Sequence, residues 1–394
     1  VPALSIAVVG AGIGGLTAAL ALARQGHAVT LIERRPGFSE VGAGLQLSPN
    51  ASRILTDLGL GPALRRAVTE PRRVVVRDIG TGREIGQIAL GPFMRERFGA
   101  PYWVIHRADL QTILLDAVRS MPSIRLVMGR TVDEASETSS GVTAGLVTAK
   151  GARESASFDL LIGADGVWSK VRRILGSAAS PAYRGYVAWR STLDRARAPT
   201  LLAGDETGLW LGPRGHVVHY PVAGGRLINV VAIEKTPEPV DGWADPGDGA
   251  ELMARYGSAA PALRQLLSVA PQWLRWSLFD HPARMMAKGR IALLGDAAHP
   301  VLPFLAQGAA LAIEDAAALA GLLRQAGAIP QTLSRYEAER LSRVRQVQGA
   351  ARQNGRIYHA GGLVGFGRNL VMGRLGPERM TERYAWLYGY RPLV

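Results

Sequence analysis

Two hydrophobic periods divide the chain. "LSIAVVGAG" at residues 4–12 is a short β-branched run, and "LTAALALARQGH" reads as a helix ended by Gly26. "AVTLIERR" is then a second strand, so the start is a β-α-β unit with glycines at its first turn. A right-handed crossover makes the two strands parallel neighbours. Val74–Leu90 predicts a hairpin around Gly80-Thr81-Gly82, "RADLQTILLDAVRSM" an amphipathic helix, and "SIRLVMG" a strand. "FDLLIGADG" repeats the opening pattern of buried strand and tight turn, followed by the helix "SKVRRIL" with Ser169 as its cap. Residues 183–235 are strand-rich. "GRIALLGDAAH" is another buried strand that leads into the long helix "GAALAIEDAAALAGLL", and the chain after Pro330 is helical and basic. This interleaving predicts an α/β protein whose dinucleotide-binding domain combines residues 1–71, 102–176 and 286–330. Residues 72–101 and 177–285 form a substrate domain, and 331–394 a C-terminal helical region.

Composition narrows the chemistry. The 394 residues contain no cysteine, which excludes disulfides, iron–sulfur clusters and thiolate nucleophiles and points to a reducing cytoplasm. The formal charge is +14, but the basic residues are scattered and rich in arginine. That suits small acidic ligands better than nucleic acid. Residues 3–23 lack charge, yet no positive segment precedes them, and Gly10, Gly12, Gly14, Gly15 and Gly26 would weaken a membrane helix. No other stretch reaches spanning length, so the expectation is a cytoplasmic protein. The seven histidines are dispersed without ligand spacing, so no metal site is expected.

The first turn, Gly10-Ala11-Gly12-Ile13-Gly14-Gly15, matches G-x-G-x-x-G in its strand–helix context. Gly10 permits the turn, Gly12 lets backbone approach a pyrophosphate, and Gly15 brings helix and strand together. Glu33 closes the second strand 18 positions after Gly15, where a carboxylate can accept hydrogen bonds from ribose. Two further acidic turns follow strands, Asp165-Gly166 in "DLLIGADGVWSKVR" and Gly295-Asp296 in "GRIALLGDAAHP".

In this order the three motifs resemble the single-component FAD-dependent aromatic hydroxylases. "LGDAAHPVLPFLAQGAALAIED" at 294–315 and "GAGLQLSPNA" at 42–51 are most similar to the salicylate, 3-hydroxybenzoate and 6-hydroxynicotinate hydroxylases. The resemblance implies a Rossmann-like FAD-binding domain of the GR2 type, an inserted mixed β-sheet substrate domain and a helical C-terminus. It implies FAD as cofactor and NADH or NADPH as co-substrate, with no separate nicotinamide domain. Glu33 would meet the adenosine ribose, Arg34 the adenine, Asp296 the ribityl chain, and Arg107 in "HRADL" the pyrophosphate or ribityl oxygens. Asp165 belongs to a turn proposed to serve both FAD and NAD(P)H, and Ile13, Gly14 and Val132 join the cofactor contacts. Pro303 and Gly308 shape a loop before a helix whose N-terminus, at Ala309 and Ala310, would face the flavin pyrimidine and stabilise its reduced, anionic form.

Such enzymes hydroxylate electron-rich rings through a flavin C4a-hydroperoxide, so a base that ionises a phenol is expected. "GHVVHYPV" places His216, Val218 and Tyr220 on one strand face, with Val217 and His219 on the other. His216 is the expected base or proton shuttle and Tyr220 a positioning donor, whereas His219 is expected to be structural or exposed and His299 structural. Trp189 and Arg190 lie on opposite strand faces, so at most one meets substrate; Arg190 suits a carboxylate. Pro303 stands where the 3-hydroxybenzoate enzymes carry glutamine, and Leu47 near a functional histidine of the 6-hydroxynicotinate enzymes, which argues against both substrates. Expected partners are a small phenolic or hydroxylated N-heteroaromatic compound and O2. The apolar stretch "GGLVGFGRNLVMGRL" either pairs two copies of the chain or completes the core. A urate-type or polycyclic-antibiotic hydroxylase, or a flavin reductase or binding protein without oxygenase activity, are the alternatives. "WLRW" at 273–276 lacks the rest of the halogenase stretch.

Overall fold

A computed structural model describes residues 2–38, 44–177, 179–202, 204–242 and 244–392. One sheet has the spatial order Ala287–Lys288, Ile291–Leu293, Leu160–Gly163, Ser5–Val9, Ala28–Glu33 and Ile124–Met128. All pairings are parallel except the short edge at Ala287–Lys288. The register sets Val9 beside Ile32 and Gly163, and Gly163 beside Leu293. The carboxyl ends of four strands therefore line up, and the turns that follow them share one crevice, where open α/β sheets bind ligands.

The uncharged opening is explained by burial on every side. Ser5–Val9 lies inside the sheet, and the helix Ile13–Ala23 is buried at ten of its eleven positions. That helix packs between the sheet and the helix Gly308–Leu323, with Gly14 against Leu294 and Ala312. A helix apolar all round is what such a position demands. Among the described residues, no helix is long and apolar enough to cross a membrane.

The second sheet has eight strands, in the order Asp245–Gly247, Trp273–Asp280, Ala182–Asp194, Leu227–Lys235, Gly215–Val222, Thr207–Gly212, Arg73–Asp78 and Glu84–Ala89. It is antiparallel apart from one parallel pair, Arg73–Asp78 with Thr207–Gly212. One face packs Trp189, Trp210 and Val230 under the helices Gly249–Arg255 and Pro261–Ser268. The other sets Ala188, Ile233 and Leu278 against Leu302 and Phe304, which lie in the loop after the last parallel strand. The two sheets thus meet through that loop.

The loop is fixed by a buried polar network. Glu314 and Asp315, neighbours on the helix Gly308–Leu323, are fully buried, as is Arg340 on the 30-residue helix Ile329–Tyr358. Arg340 donates from Nε to Asp315 (2.7 Å) and from Nη2 to Glu314 (2.8 Å), and Arg343 donates to Glu314 at 2.9 Å. His299 Nε2 lies 2.6 Å from Asp315, which also accepts the Gly295 N–H at 2.9 Å. His299 is therefore structural. Asn50 Nδ2 donates to Glu314 (2.6 Å) and Gln307 (3.0 Å), and Gln307 donates to Ser48. Each ion has an opposite charge and hydrogen bonds, the condition under which a buried pair is tolerated.

Burial alone would raise the Asp315 carboxyl, but His299, Arg340 and the Gly295 N–H hold it down to about 2. Its stabilising contribution is complete above the unfolded carboxyl value near ~4 and is lost as pH falls toward the folded value. Denaturant titration should therefore show the wild type losing stability between these limits and Asp315→Asn losing less over that interval. Arg340→Ala should cost ~3–5 kcal/mol at neutral pH, because it removes the one arginine that Glu314 and Asp315 share and leaves Asp315 without a guanidinium partner among the described residues.

Candidate active site

The first turn is set by three glycines under different constraints. Gly10 has φ +104°, and a Cβ there would strike the Ala164 carbonyl; a Cβ on Gly15 would strike Gly10 itself. Gly12 is the opposite case. It caps the helix Ile13–Ala23, and among the described residues nothing beyond its chain neighbours lies within 4 Å of where its Cβ would be. No side chain caps that helix, so its first N–H groups and positive dipole end face an open cradle, the arrangement that binds pyrophosphate. Ile13 itself is buried. Glu33 accepts the Ala11 N–H on Oε2 and the Arg35 N–H on Oε1, both at 2.9 Å. Its remaining lone pairs are available to ribose hydroxyls. Arg34 beside it is exposed.

Asp296 follows Gly295, whose φ is +57°. Burial raises the Asp296 carboxyl, partly offset by His299, Arg107 and Arg172 nearby. No described residue hydrogen-bonds this carboxyl, so it has acceptor capacity for a ligand hydroxyl. Arg107 opens the helix Arg107–Arg119, and Arg172 is held by the Ala297 carbonyl at 2.8 Å. Asp165 is occupied differently. Its carboxylate accepts the Ser169 hydroxyl and the N–H groups of Lys170 and Val171, so it fastens the turn before Lys170–Ile174. Val132 is buried in the core, next to a bulge between Val132 and Glu134, so only its backbone is available to a ligand.

Pro303–Leu305 forms a single 3-10 turn with Pro303 exposed, and Ala306 then takes φ +53°, in the region glycine usually fills. Gln348 donates to the Pro300 carbonyl (3.0 Å) and Asn354 to that of Phe304 (3.3 Å), which pins the loop to the long helix. The helix Gly308–Leu323 begins without a capping side chain; Gly308 and Ala309 are half-buried at its open end and Ala310 is buried. Gly12, Glu33, Asp296 and the Gly308 end lie along one edge, and their donor set (N–H groups, two carboxylates, two uncapped helix starts) suits a flavin dinucleotide.

Facing this edge is one side of the eight-stranded sheet. Ala188 pairs with Ile233, which pairs with His216; Arg190 pairs with Val231, which pairs with Val218. Directly paired residues share a face, so Arg190, His216 and Tyr220 stand on the Phe304 side and Trp189 on the other. Arg190 is buried, its guanidinium 4.6 Å from the centre of the Trp276 ring. The His216 ring is 5.5 Å from Phe304 and 5.3 Å from Tyr358, and its Nδ1 lies 2.9 Å from His359 Nε2. Burial, with His359 beside it, holds His216 well below the usual histidine value, so it is neutral at pH 7. His219 is buried against Trp210 on the far face, driven to about 3 by burial and Arg77.

One position differs from the sequence reading, and three residues were missed. Leu47 is fully buried in the nucleotide-domain core and does not face the substrate wall. Strand alternation turns its neighbour Gln46 that way instead; Gln46 Oε1 accepts the Tyr102 hydroxyl at 2.5 Å and Gln46 also bonds Tyr220. The period of two over "GLQL" was the signal for Gln46. Tyr102 and His359 had none, because each reaches the wall from a segment remote in sequence. Gly42 and Ala43, the start of "GAGLQLSPNA", lie outside the described residues.

The FAD binding domain family matches residues 3–351, and the chain belongs to it. It is 35% identical over 390 residues to a 3-hydroxybenzoate 6-hydroxylase of Polaromonas naphthalenivorans, covering 98% of this chain and 96% of that one. It is 38% identical to the 3-amino-4-hydroxybenzoate 2-monooxygenase PtnB3 of Streptomyces platensis, with the same coverage. Klebsiella pneumoniae HpxO, solved with FAD and uric acid, superposes with a TM-score of 0.84 at 30% identity, covering 96% of this chain and 95% of that one. The protein is an FAD-dependent monooxygenase, specifically an aromatic hydroxylase.

The contrast between Gly12 and Gly15 is testable in the apoprotein. Gly12→Ala should leave its thermal unfolding unchanged while weakening FAD binding at least ~10-fold, about 1.4 kcal/mol. Gly15→Ala should destabilise the apoprotein itself by about 3 kcal/mol. Melting curves and FAD fluorescence titrations check both.

Proposed function

We propose that the protein hydroxylates a small, carboxylated phenol or hydroxylated N-heteroaromatic ring, using O2 and NADH or NADPH. The observation that carries this reading is the shared face of His216, Tyr220 and Arg190 opposite the Phe304 loop. FAD, held at Gly12, Glu33, Arg107, Asp296 and the Gly308 end, supplies oxygen activation when bound. Arg190 pairs with the substrate carboxylate. Neutral His216 accepts the phenol proton on Nε2, which makes the ring electron-rich. Burial raises the Tyr102 and Tyr220 hydroxyls, so both stay protonated and position the ring as donors or acceptors. Leu278, Leu302 and Phe304 exclude water from the reacting carbon. The division into FAD and substrate domains belongs to the same reading, supported by the separation of the two sheets. So do a cytoplasmic location and a homodimer, the latter supported by Leu363, Val364 and Phe366 standing exposed on Gly362–Leu375.

Purified, FAD-loaded protein should be offered 3-hydroxybenzoate, 3-amino-4-hydroxybenzoate, salicylate, 6-hydroxynicotinate and urate. One of the four carboxylated rings should accelerate NAD(P)H oxidation and yield a product heavier by one oxygen. Turnover of urate alone would replace the carboxylated substrate with a purine, and peroxide as sole product with every compound would overturn the reading. His216→Phe should slow hydroxylation by ~10²–10⁴-fold while leaving FAD affinity unchanged.

A further inference from the structure

We propose that His359 is the outer half of a two-imidazole proton conduit, linking His216 at the substrate wall to the cleft beside Lys235. The inference rests on His216 as the base. His359 ends the helix Ile329–Tyr358, and its Nε2 meets His216 Nδ1 at 2.9 Å, so the contact joins the substrate sheet to the C-terminal helix. The pair sits in an aromatic sleeve. Phe304 is 5.5 Å from His216 and 5.8 Å from His359, Tyr358 is 5.3 Å from His216, and Tyr186 is 5.2 Å from His359. Water has no direct path to His216 through such a sleeve. Tyr186, which stands against the His359 ring, also lines a cleft of about 340 Å³ with Arg184, Lys235 and Thr236, so that cleft lies one side chain away from His359. Among the described residues His359 Nδ1 is buried without a hydrogen-bond partner, an orphan that a water entering past Tyr186 would satisfy.

The pair is a poor store for a proton, because burial lowers both imidazoles. The charged groups acting on His359 are Lys235 and Arg368, both cations, and the group acting on His216 is His359 itself; Tyr186 and Tyr358 are neutral. A proton received by His216 must therefore move on. The phenol O–H bond breaks and its proton joins His216 Nε2; the Nδ1 proton of His216 passes to His359 Nε2; the Nδ1 proton of His359 leaves to water. Both rings end neutral, each in its other tautomer. When the product phenolate is reprotonated, the same transfers run backward and restore the starting tautomers, with no ring flip. His359 is thus a positioning and relay residue that acts through His216.

Histidine ¹⁵N NMR of the FAD-loaded full chain tests the pair without substrate. Coupling across an N–H···N bond between His216 and His359, lost in His359→Ala, is expected; two rings without such coupling would overturn the proposal. A stopped-flow pH indicator then follows proton release as 3-hydroxybenzoate, 3-amino-4-hydroxybenzoate or 6-hydroxynicotinate binds, using the tightest binder. His359→Gln keeps a hydrogen bond to His216, because its amide reaches the Nε2 position, but cannot relay. It should slow release at least about tenfold, regain speed with added imidazole, and recover hydroxylation as rising pH delivers the substrate already ionised. Release at the wild-type rate, or a loss equal at every pH and untouched by imidazole, would overturn the conduit. His216→Asn separates the two readings. If it releases protons normally the base assignment falls; if it is slow while His359→Gln is normal, only the conduit falls.

Discussion

The architecture depends on the ion cluster of Glu314, Asp315, Arg340 and Arg343. Helix Gly308–Leu323 must start with open N–H groups toward the crevice, yet its body is buried among other apolar helices. Nothing in an apolar interface would fix its rotation or its height. Paired carboxylates gripped by two arginines from Ile329–Tyr358 do fix them, and Asp315 extends the grip to Gly295 and His299 beside Asp296. The same cluster therefore locates the C-terminal helix, the loop between the sheets and the acidic turn at the crevice. Charges are suited to this task because misplacing them by one turn leaves a buried ion unpaired, whereas apolar contacts slide.

From that anchor the two sheets are brought face to face. The parallel sheet contributes backbone: turns, helix starts and carboxylates at strand ends. The antiparallel sheet contributes side chains at a spacing of two residues, with His216, Val218 and Tyr220 on one strand and Arg190 two strands away. Phe304 touches both systems, meeting His216 and His359 edge to face while its carbonyl is held by Asn354. Cofactor chemistry and substrate chemistry thus share a wall made by a loop of a few residues.

Much of this was legible in the sequence because it is local. The glycine turn, Glu33 at the end of the second strand, the acidic turns and the alternation in "GHVVHYPV" are each read within a short window, and period two separates His216 from His219 without any tertiary information. What was not legible is set by pairing between distant segments. That Arg190 and not Trp189 faces the flavin edge depends on the register with Val231, and Tyr102 and His359 arrive from other parts of the chain. Asp165 shows the opposite limit. Its motif is conspicuous, but its carboxylate is spent on the next turn's N–H groups, a local use that the motif alone does not distinguish from a ligand contact.

Glu33 carries a consequence of another kind. By accepting N–H groups from Ala11 and Arg35 at once, it ties the glycine turn to the end of the neighbouring strand before any dinucleotide arrives. The dinucleotide then meets a mould already set, and little chain entropy is surrendered on loading. A flavin captured this way is suited to remain through many catalytic cycles, while substrates come and go past it. One carboxylate that braces its own loop thus favours retention of a bound group over its exchange.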